Sequence, residues 1–263
     1  MSAACRIQMT GGGMGEKAEW ITPRDYEQSQ TTHMLDDLLE ALRPLEGQRL
    51  SRLLDVGCGF GGLTRLVAER LGIAEAHGID ADAAVLAEAR TKGIITHCVE
   101  VRSAALAFPD GFFDLVASFG MLDYLPDFDP LLREVRRVLR PGGYALISLP
   151  NLAGWQNRLF LLLGYQLRDV EVSRDKVVGV HPWYASDGHP VGHIHTVTVP
   201  AFRELMEHHG FETMRVTRGI PGGRAKGVVV RWVDAILSRR VTLARRFFYL
   251  GQRAAQTATA PRS

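Results

Sequence analysis

The chain has 263 residues, of which 46% are hydrophobic and 23% charged; this composition is typical of a folded globular protein and excludes wholesale disorder. A formal net charge of +2 is too small to indicate a nucleic-acid partner. No apolar run is long enough for a membrane-spanning helix and the first twenty residues lack a secretory signal, so we expect a cytoplasmic protein. The three cysteines form no CxxC pair, which predicts reduced thiols and no zinc site.

The N-terminal part is predicted to be a flexible leader followed by an amphipathic helix. Residues 1–17 include a glycine-rich run, but no strand precedes it, so a phosphate-binding loop is disfavoured. Between 26 and 42 the apolar positions recur at helical spacing, and Pro44 and Gly47 end the pattern. We predict one domain at 18–253 and a disordered tail at 254–263.

From residue 52 onwards, short apolar strands alternate with helical stretches. Strands are predicted at 52–56, 76–79, 96–101, 113–118, 144–149, 211–218 and 247–252. Helices are predicted at 63–71, 83–90, 130–139, 200–209 and 228–237. Parallel strands joined by helices require right-handed crossovers, with helices on both faces of the sheet. The predicted fold class is therefore α/β, with a doubly wound, mostly parallel sheet of seven strands.

The segment 150–199 interrupts this alternation and is rich in aromatic residues and histidines. A connection of this length in a compact domain is usually functional or disordered, and its aromatic content favours a functional role. This segment follows the fifth strand, at the edge where open α/β sheets form a crevice. We therefore interpret it as a lid over a substrate.

A glycine-rich turn follows the first predicted strand and leads into a helix. Glycines permit positive φ and close approach to a ligand, and the helix N-terminus offers free amide donors. Gly57, Gly59 and Gly62 also satisfy the GxGxxG spacing of dinucleotide-binding enzymes. Asp55, two residues before the first glycine, would repel a pyrophosphate but suits an ammonium group, which favours an adenosyl amino acid.

Asp80 ends the second predicted strand and is a candidate partner for both hydroxyls of a ribose. The alternative is that it caps the following helix, although Asp82 is equally placed for that task.

Four ordered motifs resemble those of class I S-adenosylmethionine (SAM)-dependent methyltransferases: LDVGCG at 54–59, GID at 78–80, FPDGFFDLV at 108–116 and LREVRRVLRPGG at 132–143. The resemblance implies a Rossmann-like methyltransferase sheet with SAM as cofactor and S-adenosylhomocysteine as product. It implies cofactor contacts at Asp55, Gly57, Cys58, Gly59, Asp80, Ala81, Ser103, Ala104 and Phe119. A looser similarity to ubiquinone-type and other small-molecule methyltransferases extends through SLPN at 148–151.

The chain departs from the family pattern at Arg102, where many relatives carry an aspartate that accepts the adenine amino group. An arginine cannot accept that hydrogen bond, so adenine recognition is expected to involve Ser103, backbone amides or packing. Trp20 and Tyr26 precede the first predicted helix, and the resemblance implies that such a segment closes over the cofactor; Tyr26 is thus a further candidate contact. Packing of both aromatics against the sheet edge is the alternative.

The acceptor side offers His193 and His195, whose alternation predicts that both lie on one face of a strand. We hypothesise that one of them is a general base and that Trp183 and Tyr184 shape the acceptor pocket. The alternatives are a purely structural role in the lid, or a metal site with His189, which methyl transfer does not need. Asp123 and Tyr124 follow the fourth strand and could contact the acceptor or cap a turn.

The leading hypothesis is an enzyme that methylates an O or N atom of a small molecule in secondary metabolism. The alternatives are a SAM-binding protein that no longer methylates, such as a regulatory subunit or a cyclase, and an NAD-linked oxidoreductase. The basic C-terminal region, which includes Arg239, Arg240, Arg245 and Arg246, is interpreted as a solvated face. An anionic or lipid-linked substrate at a membrane surface would also explain it.

Overall fold

A computed structural model describes residues 35–101, 105–167, 169–182, 190, 192–219 and 228–255. Its strands form one sheet: β1 Arg52–Val56, β2 Glu75–Asp80, β3 Ile95–Cys98, β4 Phe113–Phe119, β5 Leu139–Pro150, β6 Phe211–Gly219 and β7 Arg246–Arg253. The strand order is β3-β2-β1-β4-β5-β7-β6, and β7 alone runs antiparallel to its neighbours. The predicted fold class, a doubly wound and mostly parallel seven-stranded α/β sheet, is confirmed.

The described helices are α1 Leu35–Leu42, α2 Gly62–Leu71, α3 Ala83–Thr91, α4 Asp129–Val138, α5 Trp155–Leu162, α6 Val199–His208 and α7 Val228–Leu237. Short 3-10 turns lie at Arg43–Leu45, Leu122–Tyr124 and Val241–Leu243. Within the described ranges, no helix combines the length and the apolar character needed to cross a bilayer.

Two elements differ from the sequence-based predictions. Helix α5 lies inside the segment predicted as a lid and was not anticipated; it buries Gln156 and Asn157 beside Phe160 and leaves Leu161 and Leu162 exposed. Strand β3 was predicted to end at residue 101 but ends at Cys98. Its neighbour β2 ends at Asp80, the partner of Cys98, so residues after Cys98 have no strand to pair with in the described sheet.

The central strands are buried on both faces, which explains why their sequences are nearly continuous hydrophobic runs. Successive residues point to opposite faces of the sheet, so Leu53 packs in the hydrophobic cluster with α1 and α2, whereas Leu54 packs in the cluster with α4 and α6. The two clusters pack against opposite faces of the sheet and hold the ends of its strands in position.

The strand register brings the carboxyl ends of β1, β2, β4 and β5 to one edge of the sheet. Asp55 pairs with Gly78 and Ala117, while Phe119 pairs with Ser148. Strands β2 and β3 are added on one side of β1, and β4 and β5 on the other. Open α/β sheets form their binding crevice at such a switch point, here between β1 and β4. Because β7 is antiparallel, its first residue, Arg246, also lies at this edge, opposite Pro150.

Candidate functional site

The loop between β1 and α2 has a backbone shape that depends on glycine. Gly57, Gly59 and Gly61 have φ of +78°, +51° and +77°, values that residues with a side chain rarely adopt. The amides of Gly57 and Cys58 donate hydrogen bonds to the carbonyl of Ile79, at 2.8 and 3.0 Å. The loop is thereby fixed to the end of β2, with the N-terminus of α2 directly behind it.

Replacing Gly57 with alanine is expected to destabilise the fold by about 3 kcal/mol, combining left-handed strain with a steric clash. A Cβ there would lie 2.6 Å from Cγ of Met121. Gly72→Ala is the matched control, because Gly72 also has a positive φ, +68°, but its Cβ would meet nothing within 4 Å. Gly72→Ala should lower the free energy of unfolding, measured with denaturant, by about 1 kcal/mol. Equal losses in the two variants would contradict the close contact with Met121.

Asp55 is buried at the end of β1, with 1% of its surface exposed. Its Oδ2 accepts a hydrogen bond of 2.6 Å from Oγ1 of Thr64, while Oδ1 has no hydrogen-bond partner among the described residues. Burial raises the pKa of Asp55 to about 7; the hydrogen bond from Thr64 lowers it in part, and the charge of Asp80 raises it. A buried carboxylate oxygen without a partner fits a positively charged ligand group.

Asp80 lies across the glycine loop from Asp55, at the end of β2. Its Oδ2 accepts a hydrogen bond from the amide of Gly59 and its Oδ1 one from the amide of Asp82, both at 3.0 Å. The alternative role considered for Asp80, capping of α3, belongs to Asp82, whose carboxylate accepts a hydrogen bond of 2.7 Å from the amide of Ala84. The half-buried Asp80 therefore retains accepting capacity at the crevice.

The other predicted cofactor residues differ in what they can offer. The thiol of Cys58 is buried against Gly78, and burial raises its pKa, so that the backbone of this residue is its ligand-accessible part. Ala81 is exposed beyond β2, and Phe119 is half-buried at the end of β4. The predicted contacts at Tyr26, Ser103, Ala104 and Tyr184, and the atypical Arg102, lie outside the described residues.

On the acceptor side, the structure brings His193 next to Asp123. Nε2 of His193 lies 3.0 Å from Oδ2 of Asp123, in an ion-pair contact that lacks the alignment of a hydrogen bond, and both side chains are buried. The imidazole also packs edge-on against Tyr124, with 5.2 Å between ring centroids. Burial lowers the pKa of His193, but the carboxylates of Asp123 and Asp169 together outweigh this effect, and the net pKa is raised.

A second acid and a buried arginine complete this cluster, and neither was predicted as a site residue. Oδ1 of Asp169 lies 3.8 Å from Nδ1 of His193. Arg246 begins β7 and is 4% exposed, so its interpretation as part of a solvated basic face is wrong. Its guanidinium lies against Gly120, 2.9 Å from where a Cβ would stand. Burial lowers the pKa of Arg246, an effect that the charges of Asp123 and Asp169 oppose.

His195 does not share the position of His193, and the prediction that both lie on one face of a strand is wrong. Residues 192–196 form no strand, and His195 is exposed. The amides of Ile194 and His195 both donate to the carbonyl of Asp123, which turns the two imidazoles apart. Nε2 of His195 lies 2.6 Å from the carbonyl oxygen of Pro126, so it carries the proton and donates it there.

Residues 54–147, which contain the glycine loop, Asp80 and Asp123, match the model of a family described as methyltransferase domain. The match covers 94 of the 263 residues, and over this segment the chain is similar to methyltransferase domains. The predicted resemblance to SAM-dependent methyltransferases is confirmed, and SAM is the cofactor of this family.

Two curated relatives match about half of the chain. Trans-aconitate 2-methyltransferase of Methylobacterium radiotolerans is 34% identical, over 56% of this chain and 50% of its own length. Demethylmenaquinone methyltransferase of Listeria welshimeri is 35% identical, over 44% of this chain and 53% of its own length. The chain thus spans about half the length of the curated relatives it matches.

The fold extends beyond this matched region. A solved structure from Haloferax volcanii, described as a complex of the Trm112 methyltransferase activator and a putative methyltransferase, superposes with a TM-score of 0.61 at 17% identity. The match covers 89% of this chain and 96% of the other. At this identity the likeness concerns the fold alone.

Proposed function

We propose that this protein transfers a methyl group from SAM to an O or N atom of a small molecule. The observation that carries the proposal is the buried carboxylate of Asp55, whose Oδ1 has no partner within the described residues, beside the glycine loop. The α-ammonium group of SAM would be a positively charged hydrogen-bond donor for this oxygen. A pyrophosphate at the same place would meet a buried negative charge, which argues against a dinucleotide.

The geometry of the loop supports further proposed contacts with the cofactor. Asp80 is proposed to accept hydrogen bonds from the ribose hydroxyls, because both of its oxygens keep lone pairs beyond their backbone contacts. Gly57, Cys58 and Gly59 would present backbone to the methionine part, and Ala81 and Phe119 would line the adenosine. Ser103, Ala104 and Tyr26 stay predictions.

When bound, SAM supplies an electrophilic methyl group on a sulfonium. The contribution of the protein to such an in-line displacement is alignment and, for an acceptor that carries a proton, removal of that proton. We propose that His193 takes it at Nδ1, which has no hydrogen-bond partner among the described residues. Oδ2 of Asp123 lies 3.0 Å from Nε2, where its charge would stabilise the imidazolium that forms.

A small-molecule acceptor is supported by the names of the relatives, which refer to trans-aconitate and to demethylmenaquinone. The buried pair of Asp123 and His193 further favours an acceptor that loses a proton, such as an alcohol, phenol or ammonium group. Tyr184 stays a prediction for the acceptor pocket, as do the cytoplasmic location, the role in secondary metabolism and the lid function of 150–199.

The proposal is tested in two steps with the full chain. Calorimetry should show SAM and S-adenosylhomocysteine binding, and NAD should not compete. Methyl-labelled SAM is then incubated with a panel of phenols, alcohols, amines and carboxylic acids, and mass spectrometry identifies labelled products. A chain that does not bind SAM, or that binds NAD in its place, refutes the proposal. Binding without methylation of any class of acceptor would support the alternative of a SAM-binding protein that no longer methylates.

A further inference from the structure

Helix α5 buries two polar side chains beside Phe160 and leaves several leucines exposed. Gln156 and Asn157 are buried, at 5% and 4% exposure, whereas Leu161 and Leu162 are 63% and 84% exposed. A helix on the surface of a protein in water normally turns its apolar stripe inward. The outward face of α5 therefore suits an apolar environment.

Helix α7 is similar: buried polar residues share its inward side with the half-buried Val233 and Leu237, and large apolar side chains are exposed on the other side. Asp234 and, just beyond the helix, Ser238 lie one turn apart and are buried, at 2% and 0% exposure. Trp232 and Ile236, also one turn apart, are 67% and 54% exposed. Large apolar side chains exposed on two helices mark an interaction surface rather than isolated surface residues.

The two helices are joined and lie at the edge of the sheet that carries the site. Nε1 of Trp155, at the start of α5, donates a hydrogen bond of 2.6 Å to Oδ1 of Asp234. Asp234 also pairs with Arg245, directly before β7, at 2.9 Å. Because α5 follows the carboxyl end of β5 and α7 precedes β7, both helices lie near Arg246 and the acceptor cluster.

The charges around these helices indicate the occupant. Arg158 on α5 and Arg240 after α7 are exposed, while Asp234, the one acid within the described spans of α5 and α7, is buried. A second copy of the same face would bring arginines against arginines with no exposed acid from these helices to pair with them. Anionic phospholipid offers both an apolar interior and negative charge at its surface, and tryptophan is favoured at that boundary.

We propose that this protein docks on anionic phospholipid bilayers through these two helices. The docking face consists of the exposed apolar side chains Leu159, Leu161, Leu162, Trp232 and Ile236, with Arg158 and Arg240 at its rim. When this face contacts the bilayer, the edge of the sheet that carries His193 and Arg246 would lie towards the membrane. If the proposed methyl transfer also holds, on which this last step rests, the acceptor class is an amphipathic molecule taken from the bilayer.

The test is cosedimentation of the full chain with vesicles of phosphatidylcholine alone or with about one third phosphatidylglycerol. Binding is expected to the anionic vesicles and to weaken as salt is raised. The double variant Leu161→Gln with Leu162→Gln should lower partitioning at least about tenfold, because two apolar side chains no longer insert. Arg158→Glu with Arg240→Glu should remove the preference for anionic lipid.

Matched controls separate the docking face from general surface effects. Ile95→Gln alters an apolar side chain that is 48% exposed on the edge strand β3, and Arg133→Glu reverses an exposed charge on α4; both should partition like the unaltered chain. The proposal is overturned by absence of vesicle binding, by equal binding to neutral vesicles, or by equal loss in the controls. It is also overturned if light scattering shows a dimer that the double leucine variant dissociates. No cofactor or acceptor is present, so failure here leaves the proposed methyl transfer untouched.

Discussion

Asp55→Asn is expected to weaken SAM binding by about ten- to a hundredfold while it stabilises the protein without cofactor. The loss follows from removing the charge that would pair with the ammonium group of SAM, a charge-assisted contact in a buried site. The gain arises because Asp55 is buried with Oδ1 unpartnered within the described residues, so that its ionised form is costly in the empty site. Calorimetry and denaturant-induced unfolding at pH 7.5 measure the two effects.

The same carboxyl gives both measurements a defined pH dependence. The pKa of Asp55 is about 7 in the folded state against 3.8 as the ordinary value, so between these values the folded state holds more protons than the unfolded chain. Its contribution to the free energy of unfolding is therefore largest at low pH and falls as pH rises from about 4 to 7. SAM affinity should increase over pH 6–7.5 as the carboxyl ionises, and Asp55→Asn should abolish this increase.

Asp82→Asn is the matched control for this prediction. Asp82 stands two residues from Asp80 but caps α3, and asparagine caps a helix equally well. The control should bind SAM normally and unfold like the unaltered chain. If Asp55→Asn bound SAM with undiminished affinity, the proposed ammonium contact would be wrong.

His193→Ala is expected to lower kcat by about 10²- to 10⁴-fold with little change in SAM affinity, the range typical for loss of a general base. His208→Ala, at an exposed position on α6, is the control and should retain full turnover. If His195→Ala caused the larger loss, the base would be reassigned to that residue despite its contact with Pro126. Equal, small effects of all three substitutions would contradict general-base catalysis by histidine.

The role of Asp123 as a positioning residue is tested by the pH profile of kcat. Burial lowers the pKa of His193, but the carboxylates of Asp123 and Asp169 keep it above its usual value, so activity should increase with pH as the imidazole loses its proton. Asp123→Asn removes that charge, and the ascending limb should move to lower pH together with a drop in the maximum. A uniform loss without a shift of the limb would indicate that Asp123 acts only in packing.

The fold, and the positions of the candidate cofactor residues at the ends of β1 and β2, could be predicted from the sequence because their signals are local. A buried strand, a glycine turn with positive φ and a helix N-terminus occupy consecutive residues, and each step restricts which amino acids fit. Asp55 and Asp80 could therefore be predicted at the crevice from their positions at strand ends alone. The hydrogen bonds of Asp80 and the partnerless oxygen of Asp55 depend on packing and could not be predicted. The position of each residue at the end of its strand could be predicted from the strand pattern.

The acceptor half depended on the tertiary structure. Asp123, Asp169, His193 and Arg246 come from four separate parts of the chain, and no spacing rule relates them. His193 and His195 look equivalent in the sequence, but the two amides bound to the carbonyl of Asp123 turn one imidazole inward and the other to solvent. The burial within helix α5 was likewise not predicted from the sequence, since this helix buries Gln156 and Asn157 with Phe160 and exposes Leu161 and Leu162. Local patterns thus specified the strands and the cofactor loop, whereas long-range packing alone decided which charges became buried together.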